Sequence, residues 1–143
     1  MNAPRRALLR VHGGMKAFVV RDGMLLIVRE AGEPHWWELP GGRIDEGEEV
    51  VTQEDVLRRE LREELGVEFR CRIVRPIATW MRIGDGVRRH TTFLVGFECD
   101  EASGEITLSD EHCEYRWVER DAWRALEFAP GYVEALNTFW SRK

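Results

Sequence analysis

Residues 42–67 read GRIDEGEEVVTQEDVLRRELREELGV, and the second half of this stretch has the pattern of an amphipathic helix. In such a helix Glu60, Glu63 and Glu64 stand at positions i, i+3 and i+4, so their carboxylates share one side. Like charges placed in this way repel each other by roughly a few tenths of a kcal/mol per pair, and a bound divalent cation would reverse that penalty. The pattern therefore favours a metal site, with a solvated acidic helix face as the alternative.

The helix is predicted to begin near Thr52 and to end at Gly66. Thr52 is followed by Gln53, Glu54 and Asp55, which is typical of an N-cap and an acidic first turn. Gly66 is typical of a helix C-terminus. Leucines recur at every fourth position and give the helix a core face besides its carboxylate face: Leu57, Leu61 and Leu65.

Residues 39–42, directly upstream, read LPGG, and paired glycines allow a tight turn and a close approach of the backbone to a ligand. This turn and the helix together resemble the Nudix box, G-x5-E-x7-R-E-U-x-E-E-x-G-U, in which U is an aliphatic residue. The matching residues are Gly42, Glu48, Arg59, Glu60, Leu61, Glu63, Glu64, Gly66 and Val67.

The spacing departs from the family pattern at one place. Ten residues, 49 to 58, separate Glu48 from Arg59, where the pattern has seven. Because Thr52 begins the helix, we expect the surplus at residues 49–51, in the loop before it, with the register of the later glutamates unchanged. The resemblance implies that Glu48 pairs with Arg59, and Glu46 and Glu49 are the alternative partners at this spacing.

The resemblance covers roughly residues 15–140 and implies an α/β fold, the Nudix α/β/α sandwich with a mixed central β-sheet. It also implies a hydrolase dependent on Mg²⁺ or Mn²⁺ that cleaves the diphosphate linkage of a nucleoside diphosphate joined to another moiety, as in nucleoside triphosphates or ADP-ribose. The alternative is a non-catalytic nucleotide-sensing domain on the same fold. The intact set of three carboxylates favours the hydrolase, because a domain that only binds nucleotides has no need of all three.

By the same resemblance, each residue of the box has an expected role. Catalytic roles fall to Arg59, which orients the acids, and to Glu63, which deprotonates water or binds metal. Metal ligands would be Glu60, Glu64 and the carbonyl of Gly41. Gly42 would contact the substrate, and Glu48 and Gly66 would be structural.

An acidic loop precedes Arg116-Trp117-Val118, and in relatives such a loop supplies one further glutamate to the metals or to the catalytic water. Glu111 is the candidate for that catalytic role here, and Glu114 is the alternate. His12, His35 and His112 share no ligand spacing, so none of them is assigned to a metal.

Substrate contacts are also expected outside the box. Trp36 and Trp37 precede the glycine turn, and either ring could stack on a nucleobase or pack in the core; the resemblance favours packing for Trp37 and leaves Trp36 the freer of the two. Arg88 and Arg89 begin a predicted strand, where they bind substrate phosphates or form a solvated strand edge.

The rest of the chain predicts a mixed α and β domain. An Asp-Gly hairpin signal separates the first two β-prone runs. The predicted strands cover 15–20, 24–28, 35–39, 67–74, 77–81 and 91–97, an acidic loop covers 100–104, and further helices cover 121–126 and 131–140.

The chain of 143 residues is 43% hydrophobic and 33% charged, which fits one globular domain over residues 1–143. A net charge of −5 argues against binding of long nucleic acid, so a small nucleotide-type substrate is the expected partner, with a homodimer left open. No signal-peptide pattern and no run long enough to span a membrane are visible, so we expect a cytoplasmic protein. Its three cysteines lack a C-x-x-C spacing and are expected to be inert thiols.

Overall fold

The computed structural model describes residues 3–84 and 90–143. Its strands are β1 (His12–Arg21), β2 (Met24–Glu30), β3 (Trp37–Glu38), β4 (Gly41–Arg43), β5 (Arg70–Arg82), β6 (Thr92–Ser103) and β7 (His112–Val118). Its α-helices are α1 (Gln53–Leu65) and α2 (Tyr132–Ser141), with short 3-10 turns at Glu48–Val50 and Ala122–Ala125. Across the described ranges, no helix is both long and apolar enough to cross a membrane.

The described strands form one seven-stranded sheet in the order β3-β2-β1-β6-β5, with β4 paired to β1 and β7 paired to β2. Strands β1 and β6 run parallel, whereas the other pairs are antiparallel. A parallel pair needs a long crossover connection, and the segment between β1 and β6 supplies one that contains α1. The predicted mixed sheet is confirmed.

Apolar side chains are buried on both faces of the sheet because successive residues of a strand point to opposite faces. Phe18 of β1 points to the face covered by α2, where it stacks on Phe139 with ring centroids 4.7 Å apart. Val19 points to the other face and packs in the cluster that contains Leu57 and Leu65 of α1. The helices therefore cover opposite faces, and the predicted α/β/α sandwich is confirmed.

Helix α1 begins and ends where its sequence predicts. The Thr52 hydroxyl oxygen accepts a hydrogen bond from the backbone N–H of Asp55 at 3.1 Å. At the other end Gly66 has a φ of 89°, in the left-handed region that favours glycine. Because both ends are fixed by local signals, the rotation of the helix and the direction of its three glutamates are fixed as well.

Long-range pairing corrects three of the predicted segments. Residues 67–74 and 77–81 belong to one strand, β5, because pairing with β6 continues past Pro76 through register shifts on both sides of it. Part of the predicted acidic loop instead extends β6 to Ser103, because the backbone pairing with β5 continues as far as Arg70 opposite Ser103.

Two shorter segments also differ from their predictions. The strand expected at 35–39 is limited to Trp37–Glu38, because His35 takes a φ of 61°, outside the extended region. The helix expected at 121–126 is a 3-10 turn of four residues, Ala122–Ala125, which ends where Leu126 becomes extended.

Candidate active site

A cavity of about 480 Å³ opens where α1, β4 and the loop before β7 meet. Its described lining contains eight carboxylate side chains and four Lys or Arg side chains. A wall with this balance repels an anionic phosphate unless a cation is bound there. Oxygen-rich sites of this kind suit hard divalent cations, so the donor set fits the metal that the resemblance implies.

The three carboxylates of α1 all line this cavity but lie at different depths. Glu60 and Glu64 are 8% and 3% exposed, whereas Glu63 is exposed. Loss of hydration raises the pKa of Glu60, against the opposing charge of Arg59. Loss of hydration also raises the pKa of Glu64 well above its usual value, against the opposing charge of Lys16. A divalent cation would favour the ionised form of both groups.

Gly41 and Gly42, the first two residues of β4, bring the backbone close to these two carboxylates. The N–H of Gly41 donates a hydrogen bond to Oε2 of Glu64 at 2.7 Å. A Cβ added at Gly42 would overlap the carboxylate of Glu60, and a Cβ at Gly41, whose φ is 129°, would overlap the Met15 carbonyl. Only glycine therefore fits at both positions without displacing a neighbour.

Arg59 joins the loop before α1 to the carboxylates on it. Its Nε and Nη2 donate to the two carboxylate oxygens of Glu48 at 2.7 and 2.6 Å. Its Nη1 donates to Glu60 at 2.8 Å and to Glu63 at 3.2 Å. The hydrogen bonds between Arg59 and Glu48 are the main cause of two shifts, because they raise the pKa of Arg59 and lower the pKa of Glu48. Both side chains therefore stay charged.

The family model that matches this chain is the NUDIX domain, over residues 11–139. The chain belongs to the Nudix family. Curated relatives include two proteins named nucleoside triphosphatase NudI. The one from Escherichia fergusonii is 34% identical over 116 residues, which cover 71% of this chain and 77% of the relative. The one from an Enterobacter species is 31% identical over 120 residues, which cover 76% of this chain and 82% of the relative.

Solved structures show the same fold. The MutT NUDIX hydrolase from Burkholderia pseudomallei has a TM-score of 0.66 and 26% identity, over 78% of this chain and 85% of that one. The Escherichia coli ORF135 protein has a TM-score of 0.75 and 24% identity, over 93% of this chain and 91% of that one. A MutT protein from Methanosarcina mazei also has a TM-score of 0.75, with 20% identity, over 96% of this chain and 97% of that one.

The three extra residues of this Nudix box lie in the loop, as predicted, and Glu48 keeps its pairing with Arg59. Residues Glu48–Val50 form a 3-10 turn, in which Val50 is 85% exposed. Val51, which follows the turn, is also exposed. Glu49, one of the two alternative partners, instead accepts a hydrogen bond from the backbone N–H of Gly47 at 2.8 Å.

Sequence reasoning missed a group of buried polar side chains at the cavity wall. Lys16 donates to the Gly41 carbonyl at 2.8 Å and lies 3.5 Å from Oε1 of Glu38. The same Glu38 oxygen lies 2.8 Å from Nε2 of His112. Lys16 and Glu38 are single charged residues within apolar runs, MKAFVV and HWWEL, and that is the signal that could have marked them as buried and partnered.

Glu111 and Glu114 have different surroundings. Glu111 lines the cavity, and one of its carboxylate oxygens lies within 4.8 Å of a carboxylate oxygen of Glu64. Glu114 pairs with Arg29 at 3.5 Å and with Arg116 at 2.8 Å, and it is not among the described lining residues. The contacts therefore favour Glu111, whose catalytic role remains a prediction.

The expected substrate contacts remain predictions as well. Trp37 is 3% exposed and belongs to the core. Trp36 packs against the same core, with Nε1 3.3 Å from a carboxylate oxygen of Glu127, and is not among the described residues that line the cavity. Arg88 and Arg89 lie outside the described residues.

Proposed function

We propose that this chain is a metal-dependent hydrolase that cleaves the diphosphate linkage of nucleoside diphosphate derivatives, with nucleoside triphosphates as the foremost substrates. The observation that carries the proposal is the burial of Glu60 and Glu64 against the two glycines of β4 at the wall of an acidic cavity. Support for the substrate class comes from the relatives named nucleoside triphosphatase, at 34% and 31% identity.

Cleavage of a diphosphate requires in-line attack of water on phosphorus and stabilisation of the charge on the phosphate oxygens. A bound Mg²⁺ or Mn²⁺ would supply that stabilisation and would lower the pKa of a bound water. Glu60 and Glu64 would hold the cation, with Glu63 and the carbonyl of Gly41 as further ligands. That carbonyl already accepts a hydrogen bond from Lys16, but a carbonyl oxygen has two lone pairs, so both contacts are compatible.

Side chains of the protein would hold the carboxylates in position and accept the proton that the attacking water loses. Arg59, anchored by Glu48, fixes Glu60 and Glu63 by hydrogen bonds at 2.8 and 3.2 Å. Glu111 is assigned as the general base, because it lines the cavity and makes no ion pair among residues 3–84 and 90–143. As the phosphorus–oxygen bond of the diphosphate breaks, the leaving phosphate takes the bonding electrons and Glu111 takes the proton.

The test is a substrate panel read by phosphate or pyrophosphate release and by product mass. The panel contains ordinary and oxidised nucleoside triphosphates, ADP-ribose, dinucleoside polyphosphates and RNA with capped or triphosphorylated ends. We expect nucleoside triphosphates to be hydrolysed fastest, with activity lost in EDTA and restored by Mg²⁺ or Mn²⁺. Nucleotide binding without hydrolysis under all metal conditions would instead establish a sensing domain.

Glu111→Gln should lower kcat by about 100-fold, as loss of a general base does, with little change in melting temperature, because an exposed loop carboxylate contributes little to folding. Glu114→Gln is the matched control and should keep full activity, since Glu114 pairs with Arg29 and Arg116 outside the cavity lining. The reverse result would assign the base to Glu114. Full activity in both variants would leave Glu63 as the base.

A further inference from the structure

His112, the first residue of β7, is buried at the wall of the cavity and is 5% exposed. One of its ring nitrogens, a carboxylate oxygen of Glu64 and a carboxylate oxygen of Glu111 all lie within 4.8 Å of one another. Ligand atoms that bind one cation at about 2.0–2.3 Å must lie at such mutual distances. His112 and Glu64 are therefore spaced to contact a single ion, with Glu111 next to it.

Glu38 holds this imidazole in one orientation. Oε1 of Glu38 lies 2.8 Å from Nε2 of His112, which is hydrogen-bond distance. The other ring nitrogen, Nδ1, is buried and has no hydrogen-bond partner among residues 3–84 and 90–143. Metal-binding histidines commonly donate their second ring N–H to a carboxylate in this way.

The cavity around His112 supplies the rest of what a metal site needs. Lys16 lies 3.5 Å from Oε1 of Glu38, which keeps the charge of that carboxylate balanced while it holds the ring. Oε2 of Glu64 is held by the N–H of Gly41 at 2.7 Å, so the positions of the imidazole and of one carboxylate are both fixed before any ion binds. Fixed ligands of this kind favour binding because little ordering remains to be done.

We infer that His112 is a nitrogen ligand to a divalent cation that it holds together with Glu64, beside the general base Glu111, and that it biases the site toward transition-metal ions such as Mn²⁺ over Mg²⁺. Imidazole nitrogen suits first-row transition metals, whereas Mg²⁺ is bound almost entirely by oxygen. The inference rests on the proposed function, because the ion lies in the same cavity.

The direct test is electron spin-echo envelope modulation of the protein loaded with Mn²⁺ alone. We expect nitrogen modulation from a directly bound imidazole, and we expect His112→Gln to abolish it. Titration of free Mn²⁺ by electron paramagnetic resonance should show about 10-fold weaker binding or more in that variant, while Mg²⁺ affinity, measured by competition, falls by a smaller factor. His90→Gln, which changes an exposed histidine, should leave both affinities and the modulation unchanged.

Glu38→Gln is a second variant that tests the role of His112 if His112→Gln fails to fold. A neutral amide holds the ring less strongly than a carboxylate, so Mn²⁺ affinity should fall by about 10-fold in the fraction of this variant that circular dichroism shows to be folded. Bound Mn²⁺ without nitrogen modulation in the wild-type protein would overturn the inference and leave the proposed function intact if hydrolysis is observed. Nitrogen modulation without hydrolysis of any substrate in the panel would instead overturn the proposed function and uphold the site.

Discussion

Glu64→Gln should lower kcat for nucleoside triphosphate hydrolysis by at least about 100-fold and leave the protein folded. Glu64 is the most deeply buried of the three carboxylates on α1, with 3% exposure, and the substitution removes the charge that would hold a cation. The amide oxygen of glutamine can still accept the hydrogen bond from Gly41 that Glu64 accepts at 2.7 Å. Removal of a buried charge also removes its desolvation cost, so the melting temperature should be unchanged or higher.

Glu54→Gln is the control for this variant. Glu54 is an exposed residue in the first turn of the same helix, outside the cavity lining, so its replacement changes the net charge equally without touching the site. Steady-state kinetics with saturating metal and a thermal melt would be measured for both. A Glu64→Gln protein with kcat near that of the wild type would show that this carboxylate has no part in the reaction.

The box could be predicted closely because its signals are local. Thr52 and Gly66 fix the ends of α1 through contacts within a few residues, and the register of Glu60, Glu63 and Glu64 follows from the period of the helix. The three extra residues before Thr52 leave the prediction of the helix unaffected, because exposed loop residues are accommodated without moving the helix that follows. Glu48 therefore still reaches Arg59 over eleven positions of sequence.

The rest of the site depends on contacts that sequence spacing does not encode. Glu38 and His112 lie 74 positions apart and meet only because β2 pairs with both β3 and β7. Lys16 reaches Gly41 because β1 pairs with β4. Ligand spacing does not mark His112, since Glu38 and Glu64 come from two other parts of the chain. The continuation of β5 past Pro76 was missed for the same reason, as the pairing partner that sustains it is β6.

Arg59 shows how one side chain links the local and the long-range parts of the site. It binds Glu48 from the loop, Glu60 and Glu63 from its own helix, and the backbone carbonyl of Arg43 at 3.1 Å. The last contact connects the helix to β4, the strand that contains both Gly41 and Gly42. The position of Gly42 is thus coupled to that of Glu60 both sterically and through Arg59.

Gly42→Ala should lower kcat by about 10- to 100-fold through displacement of Glu60. The added Cβ would overlap the Glu60 carboxylate, with Oε1 2.7 Å away, and that side chain is held from its other side by Arg59 at 2.8 Å. Gly42 is not in the left-handed region of φ, so alanine can adopt its backbone conformation and the cost falls on packing. Overpacking of this kind costs about 1–3 kcal/mol of stability.

Gly13→Ala is the matched control, because it adds the same methyl group on the neighbouring strand β1. Its Cβ would lie 3.1 Å from the terminal methyl of Ile44, a flexible and partly exposed side chain that can move aside. Activity should therefore stay near the wild-type value in Gly13→Ala and fall in Gly42→Ala, as measured by kcat at saturating substrate and metal. If Gly42→Ala melts lower but turns over at the wild-type rate, then Glu60 does not need its observed position for the reaction, and its assignment as a metal ligand is wrong.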